Sequence, residues 1–146
     1  MPPAAVRPFG DVVVTGLGTV NPLGGDTAST WRAVQAGTCA VRSLEPEWAQ
    51  EYELPVRIGA PLAINPADLL PLRQIRRLDR ASQCALLAAR QAWEQAGSPQ
   101  IGSQRLAVSV SPGMGPVLSV MEAWDTLRDR GPRRVLPTAI PALMPN

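Results

Sequence analysis

Histidine and lysine are missing from this sequence: its 146 residues include no histidine, and all 14 basic residues are arginine. An imidazole general base, a histidine-ligated metal and a Schiff-base lysine are therefore excluded from the chain as given, and most hydrolase and metalloenzyme readings go with them. Aromatics are sparse at 4% and the net charge is only +2. Trp93 and Trp124 fall on predicted helix faces, so little is left to stack on bases, and nucleic-acid binding is not expected. Only two cysteines occur, Cys39 and Cys84, with no CxxC spacing, which fits a reducing compartment and a cytoplasmic location rather than a disulfide framework. No apolar run of membrane-spanning length occurs, and residues 1–11, broken by Pro2, Pro3 and Pro8, contain no signal-peptide core, so neither a membrane span nor a signal peptide is expected.

What is present is a chain 45% apolar, long enough for one domain with a core and too short for two. Its 16 prolines and 12 glycines are scattered between apolar segments, as in a segmented α/β chain rather than a low-complexity tail. Asp11–Gly18 (DVVVTGLG) reads as a β-branched strand buried on both faces, which implies a parallel sheet. Asp26 stands as the N-cap of a helix over Thr27–Ala36 that Gly37 ends. Residues 56–60 predict a short strand, followed by a loop through Pro61, Pro66 and Pro71. From Gln74 to Ala96 an alanine-rich stripe of 3.6 periodicity predicts one helix able to approach a neighbour closely. Arg105–Ser111 predicts a second strand. The turn Pro112–Pro116 leads into a helix that starts at Pro116, buries Val117, Val120, Met121, Trp124 and Leu127, and stops at Gly131. Residues 135–146, broken by Pro137, Pro141 and Pro145, suit neither a central strand nor an ordinary helix.

Charge divides along the chain. Residues 1–72 hold 4 arginines and 7 acids, and residues 73–146 hold 10 arginines and 5 acids, a change from −3 to +5. The basic half has two clusters, Arg73, Arg76, Arg77, Arg80 and Arg128, Arg130, Arg133, Arg134. They suit either bidentate recognition of an anion or solvation of an exposed face, and residue types alone leave both open. Gly16-Leu17-Gly18 is a weak dinucleotide signal, because Asn21 replaces the third glycine of GxGxxG and the chain turns through Pro22. Cys39 and Cys84 read as structural thiols, and Glu45, Glu47, Glu51 and Glu53 as a solvated loop.

Four strings in order, VVVTGLGTVNPLGGDTASTWRAVQAG, LPVRIGAPL, RRLDRASQCALLAARQAWEQAG and RLAVSVSPGMGP followed by RGPRRVLPTAIPALMPN, resemble the N-terminal part of β-ketoacyl-ACP synthases, and together they cover nearly the whole chain. The strings LEPEWAQEYELPVRIG and WEQAGSP look most like the actinobacterial branch that elongates very long acyl chains toward mycolic acids. The resemblance implies an α/β, thiolase-like layered fold of which residues 1–146 are an incomplete N-terminal domain. It implies decarboxylative Claisen condensation of acyl-ACP with malonyl-ACP by a cysteine and two histidines, without a cofactor or metal. No residue of this chain matches that catalytic set, so the chain by itself is expected to be inactive.

The resemblance also implies a set of binding residues. Met114 matches the gating position of the acyl pocket, with Pro112 and Pro116 departing from the usual glycines. Ala139, Ile140 and Leu143, within a 135–146 segment at the dimer interface, match the pocket wall, and Ala139 stands where many relatives carry an aromatic. Arg76, Arg77, Arg133 and Arg134 match the face that docks the acidic acyl carrier protein. The implied partners are that carrier protein and a second copy or a full-length synthase. The alternative is a noncatalytic truncated homologue that docks the carrier or pairs with a full-length synthase. A further implication is exposed apolar surface, since part of a layered fold leaves a sheet edge and a helix face uncovered.

Overall fold

A computed structural model describes residues 11–44 and 50–142. Helix α1 (Thr27–Gln35) forms where its cap was expected: the Ser29 amide donates to Asp26 Oδ1 at 2.7 Å, and the Asp26 amide donates to Ser29 Oγ at 3.3 Å. These reciprocal bonds satisfy donors that a helix start leaves without partners. The chain leaves the helix through Gly37 at φ +63, a conformation that only glycine adopts without strain.

The single helix predicted from Gln74 to Ala96 is two helices, α2 (Leu72–Ile75) and α3 (Arg80–Gln95). Asp79 makes the break. Its backbone is extended, and its Oδ1 accepts from the amides of Ala81 at 2.7 Å and Ser82 at 3.2 Å while Oδ2 accepts from the Ser82 hydroxyl at 2.7 Å. A side chain that caps the next helix in this way ends the preceding one. The joint is held from within α3, where Gln83 Nε2 donates to the Leu78 carbonyl at 2.9 Å and Arg90 donates to Gln74 Oε1 at 3.0 Å. Leu70, Leu87 and Pro66 are the buried apolar residues around this joint, with Asp79, Ser82 and Gln83 buried beside them.

The strand expectations need correction. The sheet present among the described residues has two short antiparallel strands, β1 (Arg42–Ser43) and β2 (Ile58–Gly59), with Arg42 opposite Gly59 and Ser43 opposite Ile58. β2 falls inside the strand predicted over 56–60. Segments 11–18 and 105–111 are not in a ladder, and among the described residues no parallel sheet forms. Val12, Val13 and Val14 are 97%, 71% and 80% exposed. The reason is physical: a strand buried on both faces exists only between neighbouring strands and under covering layers, and the described residues supply neither to these two segments.

Helix α4 (Val117–Arg130) starts one residue later than expected, with Pro116 at its N-cap, and stops at Gly131 (φ +78). The apolar face assigned to the interior is instead largely open, since Val120, Met121, Trp124 and Leu127 are all exposed. Amphipathic spacing identifies a face that wants burial, and here no described element covers it. A 3-10 turn at Pro132–Arg134 and a single helical turn, α5 (Ala139–Ala142), follow. Pro141 is tolerated in α5 because amides of a first helical turn have no intrahelical partner to lose. Leu143 and the rest of the 135–146 segment to Asn146 lie outside the described residues, as do Glu45 and Glu47. Among the described residues no helix is long and apolar enough to cross a membrane.

Candidate functional site

The glycine turn after residues 11–15 is seated on α3. A Cβ at Gly16 would overlap the Ala92 carbonyl, and one at Gly18 the Ala88 carbonyl, so backbone packs directly on the alanine face. Gln95 Oε1 accepts from the Leu17 amide, Gln91 Oε1 accepts from the Thr19 amide at 3.0 Å, and Gln91 Nε2 donates to the Gly25 carbonyl at 2.7 Å. These two glutamines, four residues apart on one helix face, provide hydrogen bonds that a neighbouring strand would otherwise provide. Asn21 locks the turn beyond. Its Oδ1 accepts from the amides of Leu23 (2.8 Å) and Gly24 (3.1 Å), and its Nδ2 donates to the hydroxyls of Thr19 and Thr30. With those amides satisfied internally, the turn does not present them to a pyrophosphate, which agrees with the weak dinucleotide signal.

The arginines are sorted by local partners. Arg80 donates to Asn65 Oδ1 at 3.2 Å, and Arg128 pairs with Asp129 at 2.8 Å and Asp125 at 3.1 Å. The Asp129 hydrogen bond and then the Asp125 charge hold the Arg128 guanidinium above its ordinary pKa. Arg76, Arg77, Arg133 and Arg134 are exposed, and among the described residues none of their guanidinium groups is held by an ion pair or hydrogen bond. Arg76, from the joint between α2 and α3, and Arg134, from the turn after α4, line one cleft of about 290 Å³ together with Ser119, Ala123 and Ala139. Asp79 and Glu122 also line it, the first occupied in capping α3. Arg77 and Arg73 line a different cleft of about 620 Å³, together with apolar residues of α3, Val108 and Val110. Arg133 lines neither.

The residues implied for the acyl pocket are not gathered in one place. Ala139 is in the cleft with Arg76 and Arg134. Met114 is 83% exposed and lines neither cleft, and Ile140 is exposed. Met114 precedes α4, whereas Ala139 follows it and comes back against it, sharing the cleft with Ser119 and Ala123. Cys84 is half-buried, and burial pushes its thiol pKa up against the opposing charge of Arg80, so it rests as a neutral thiol. Cys39 is exposed. No group of three or more acidic, histidine or cysteine side chains able to hold a metal occurs among the described residues. Sequence reading missed Gln91 and Gln95; their four-residue spacing beside the alanine stripe was the available signal.

Comparisons with known proteins give this geometry a context. Residues 10–146 match the family model described as beta-ketoacyl synthase, N-terminal domain. Over 140 residues the chain is 33% identical to 3-oxoacyl-[acyl-carrier-protein] synthase 2 of Mycobacterium leprae, covering 96% of this chain and 33% of the relative. Over 138 residues it is 35% identical to the Coxiella burnetii protein of the same name, covering 92% and 33%. The fold is similar to a beta-ketoacyl synthase from Burkholderia phymatum STM815, with TM-score 0.61 and 28% identity over 91% of this chain and 33% of that one. It is also similar to the ishigamide ketosynthase/chain length factor, with TM-score 0.63 and 20% identity over 90% and 33%. The chain thus has the fold of the N-terminal part of an α/β, thiolase-like layered protein, and it spans about a third of the length of the curated relatives it matches.

Proposed function

The chain belongs to the β-ketoacyl synthase family through its N-terminal domain, and on that premise we propose that it is the carrier-docking portion of a 3-oxoacyl-ACP synthase of fatty-acid elongation. In the proposed reaction a cysteine thiolate takes the acyl group from acyl-ACP and releases the carrier thiol. Malonyl-ACP loses CO2, and the resulting carbanion attacks the acyl thioester carbonyl, forming a carbon–carbon bond and returning the cysteine as 3-oxoacyl-ACP leaves. The cysteine and the histidines that promote decarboxylation are not residues of this sequence, which has no histidine.

The observation that carries the reading is the meeting of Arg76 and Arg134 in one cleft, from segments 58 positions apart, with both guanidiniums unengaged. Together with Arg77 and Arg133 they give an acidic carrier a basic approach. Ala139 in the same cleft, with Ile140 and Leu143, is the proposed pocket wall toward a second subunit, and its small side chain leaves room where an aromatic would close the space. Met114 is the proposed gate, a thioether flexible enough to swing aside for an acyl chain. The proposed partners are acyl carrier protein and a second subunit, in the cytoplasm.

The second reading is a noncatalytic homologue that docks the carrier or pairs with a full-length synthase. Both readings share one outcome: the 146-residue chain, incubated with acyl-ACP and radiolabelled malonyl-ACP, releases no labelled CO2 and forms no 3-oxoacyl product. Turnover by the chain alone contradicts both. Condensation that appears when the rest of a synthase is supplied, and that depends on this chain, separates the first reading from the second.

A further inference from the structure

We propose that Gln83 is a positioning residue for the docking arginines: from inside α3 its side chain grips the backbone on either side of Arg76 and Arg77, and so sets which cleft each guanidinium enters. This inference rests on the carrier-docking reading above.

Gln83 is a polar residue only 7% exposed, and its Nε2 donates to the Leu78 carbonyl at 2.9 Å and to the Ile75 carbonyl at 3.4 Å. Those two carbonyls bracket the Arg76-Arg77 pair. A primary amide nitrogen carries two N–H donors, enough to serve both. The segment needs such a clamp, because α2 is a single turn of four residues and the last carbonyls of a helix have no partners within it. The amides of the joint are tied on the other side, Arg76 to the Leu72 carbonyl at 3.1 Å, and Arg77 and Leu78 to the Gln74 carbonyl at 3.0 and 2.9 Å. Gln83 is itself anchored, since its backbone amide donates to the Asp79 carbonyl at 2.9 Å in the first turn of α3.

The placement that the clamp maintains is a divided one. Arg76 lines the cleft of about 290 Å³ with Arg134, its neighbour Arg77 lines the cleft of about 620 Å³ with Arg73, and Leu78 borders both. Successive residues of near-helical backbone project about 100° apart, so a rotation of the joint carries both guanidiniums away from their clefts together. Their own side chains offer no resistance, because both are exposed and among the described residues neither guanidinium is held by an ion pair or hydrogen bond. The restraint therefore falls on the backbone. The bond from Arg90 to Gln74 holds α2 against α3 but acts before the arginine pair, and only the Gln83 amide spans it.

The test is the variant Gln83→Met of the 146-residue chain, which keeps the length of the side chain and removes both donors. The amides of Arg76, Arg77 and Leu78 should exchange at least about tenfold faster while the Ser29 amide of the α1 cap keeps its rate. Labelled acyl-ACP, at low ionic strength, should bind about three- to tenfold more weakly. In an Arg76→Ala/Arg77→Ala background the same change should cost less than about twofold, since a residue acting through the arginines then has nothing to place. Gln83→Asn, one methylene short of both carbonyls, should repeat the pattern and carries the test where the Met variant does not fold. Unchanged exchange at residues 76–78 overturns the clamp. Equal weakening in both backgrounds, or loss of helical content in both variants, makes Gln83 a structural residue and overturns the positioning role. A native chain that does not bind acyl-ACP contradicts the docking reading, whereas faster exchange at residues 76–78 in Gln83→Met still supports the clamp.

Discussion

The carbonyl oxygen of Ala92 lies where a Cβ of Gly16 would stand, and the same relationship repeats one turn earlier between Ala88 and Gly18. Backbone against backbone at that separation leaves no room for a methyl group, and the obstacle is a helix carbonyl rather than a side chain that could rotate away. Gly16→Ala is expected to lower the stability of the chain by about 1–3 kcal/mol through displacement of the turn from α3. Urea denaturation of the two forms side by side, followed by circular dichroism, checks this.

Gln91 holds the same turn through both ends of its amide, accepting from Thr19 and donating to Gly25. Gln91→Ala removes both bonds at a cost of about 1 kcal/mol each. The specific sign is at the Thr19 amide, which should exchange with solvent faster than in the native chain, while the Ser29 amide in the α1 cap is unchanged.

Asp79 separates α2 from α3 by capping the second helix. Asp79→Ala removes an acceptor for two amides and a hydroxyl, with an expected loss of about 1–2 kcal/mol. Asp79→Asn retains Oδ1 as a cap acceptor and should recover most of that loss, measurable as a partial return of the denaturation midpoint.

Asp26 makes the α1 cap sensitive to acid. The Ser29 amide bond, then the Ser29 hydroxyl, hold its carboxyl below the ordinary aspartate value. A depressed folded-state pKa means that the cap contributes fully above the unfolded value of about 3.9 and that its contribution is lost as pH falls through the lower, folded value. An NMR titration should show the Asp26 carboxyl midpoint below that of an unstructured aspartate, with the Ser29 amide shift following it. A midpoint at or above the ordinary value rules out the capping bond in solution.

Local chemistry made much of this fold legible. Asp26, Gly37 and Gly131 mark helix ends because each acts within a turn or two of its own position, and the alanine stripe announced a helix that something would approach closely. The break at Asp79 was legible only from the cap pair Asp79 and Ser82, which the apolar periodicity through Leu78 and Ala81 hides. Val12 to Val14 and Leu106 to Val110 have the composition of strands, but a ladder needs partners remote in sequence, and composition does not carry them. The site divides the same way: two arginine clusters were visible in the sequence, whereas Arg76 and Arg134 in one cleft and Arg77 in another depend on how α2, α3 and α4 meet.

Carrier docking is the central claim, and binding of acyl-ACP to the chain and to its R76E/R134E variant tests it most directly. Both guanidiniums are exposed and unengaged, so the substitutions should leave helical content unchanged. By fluorescence anisotropy with labelled acyl-ACP, the native chain should bind saturably and less tightly as salt is raised, and the variant should bind at least about tenfold more weakly. No saturable binding by the native chain, or equal binding by the variant, contradicts the assignment of this cleft to the carrier.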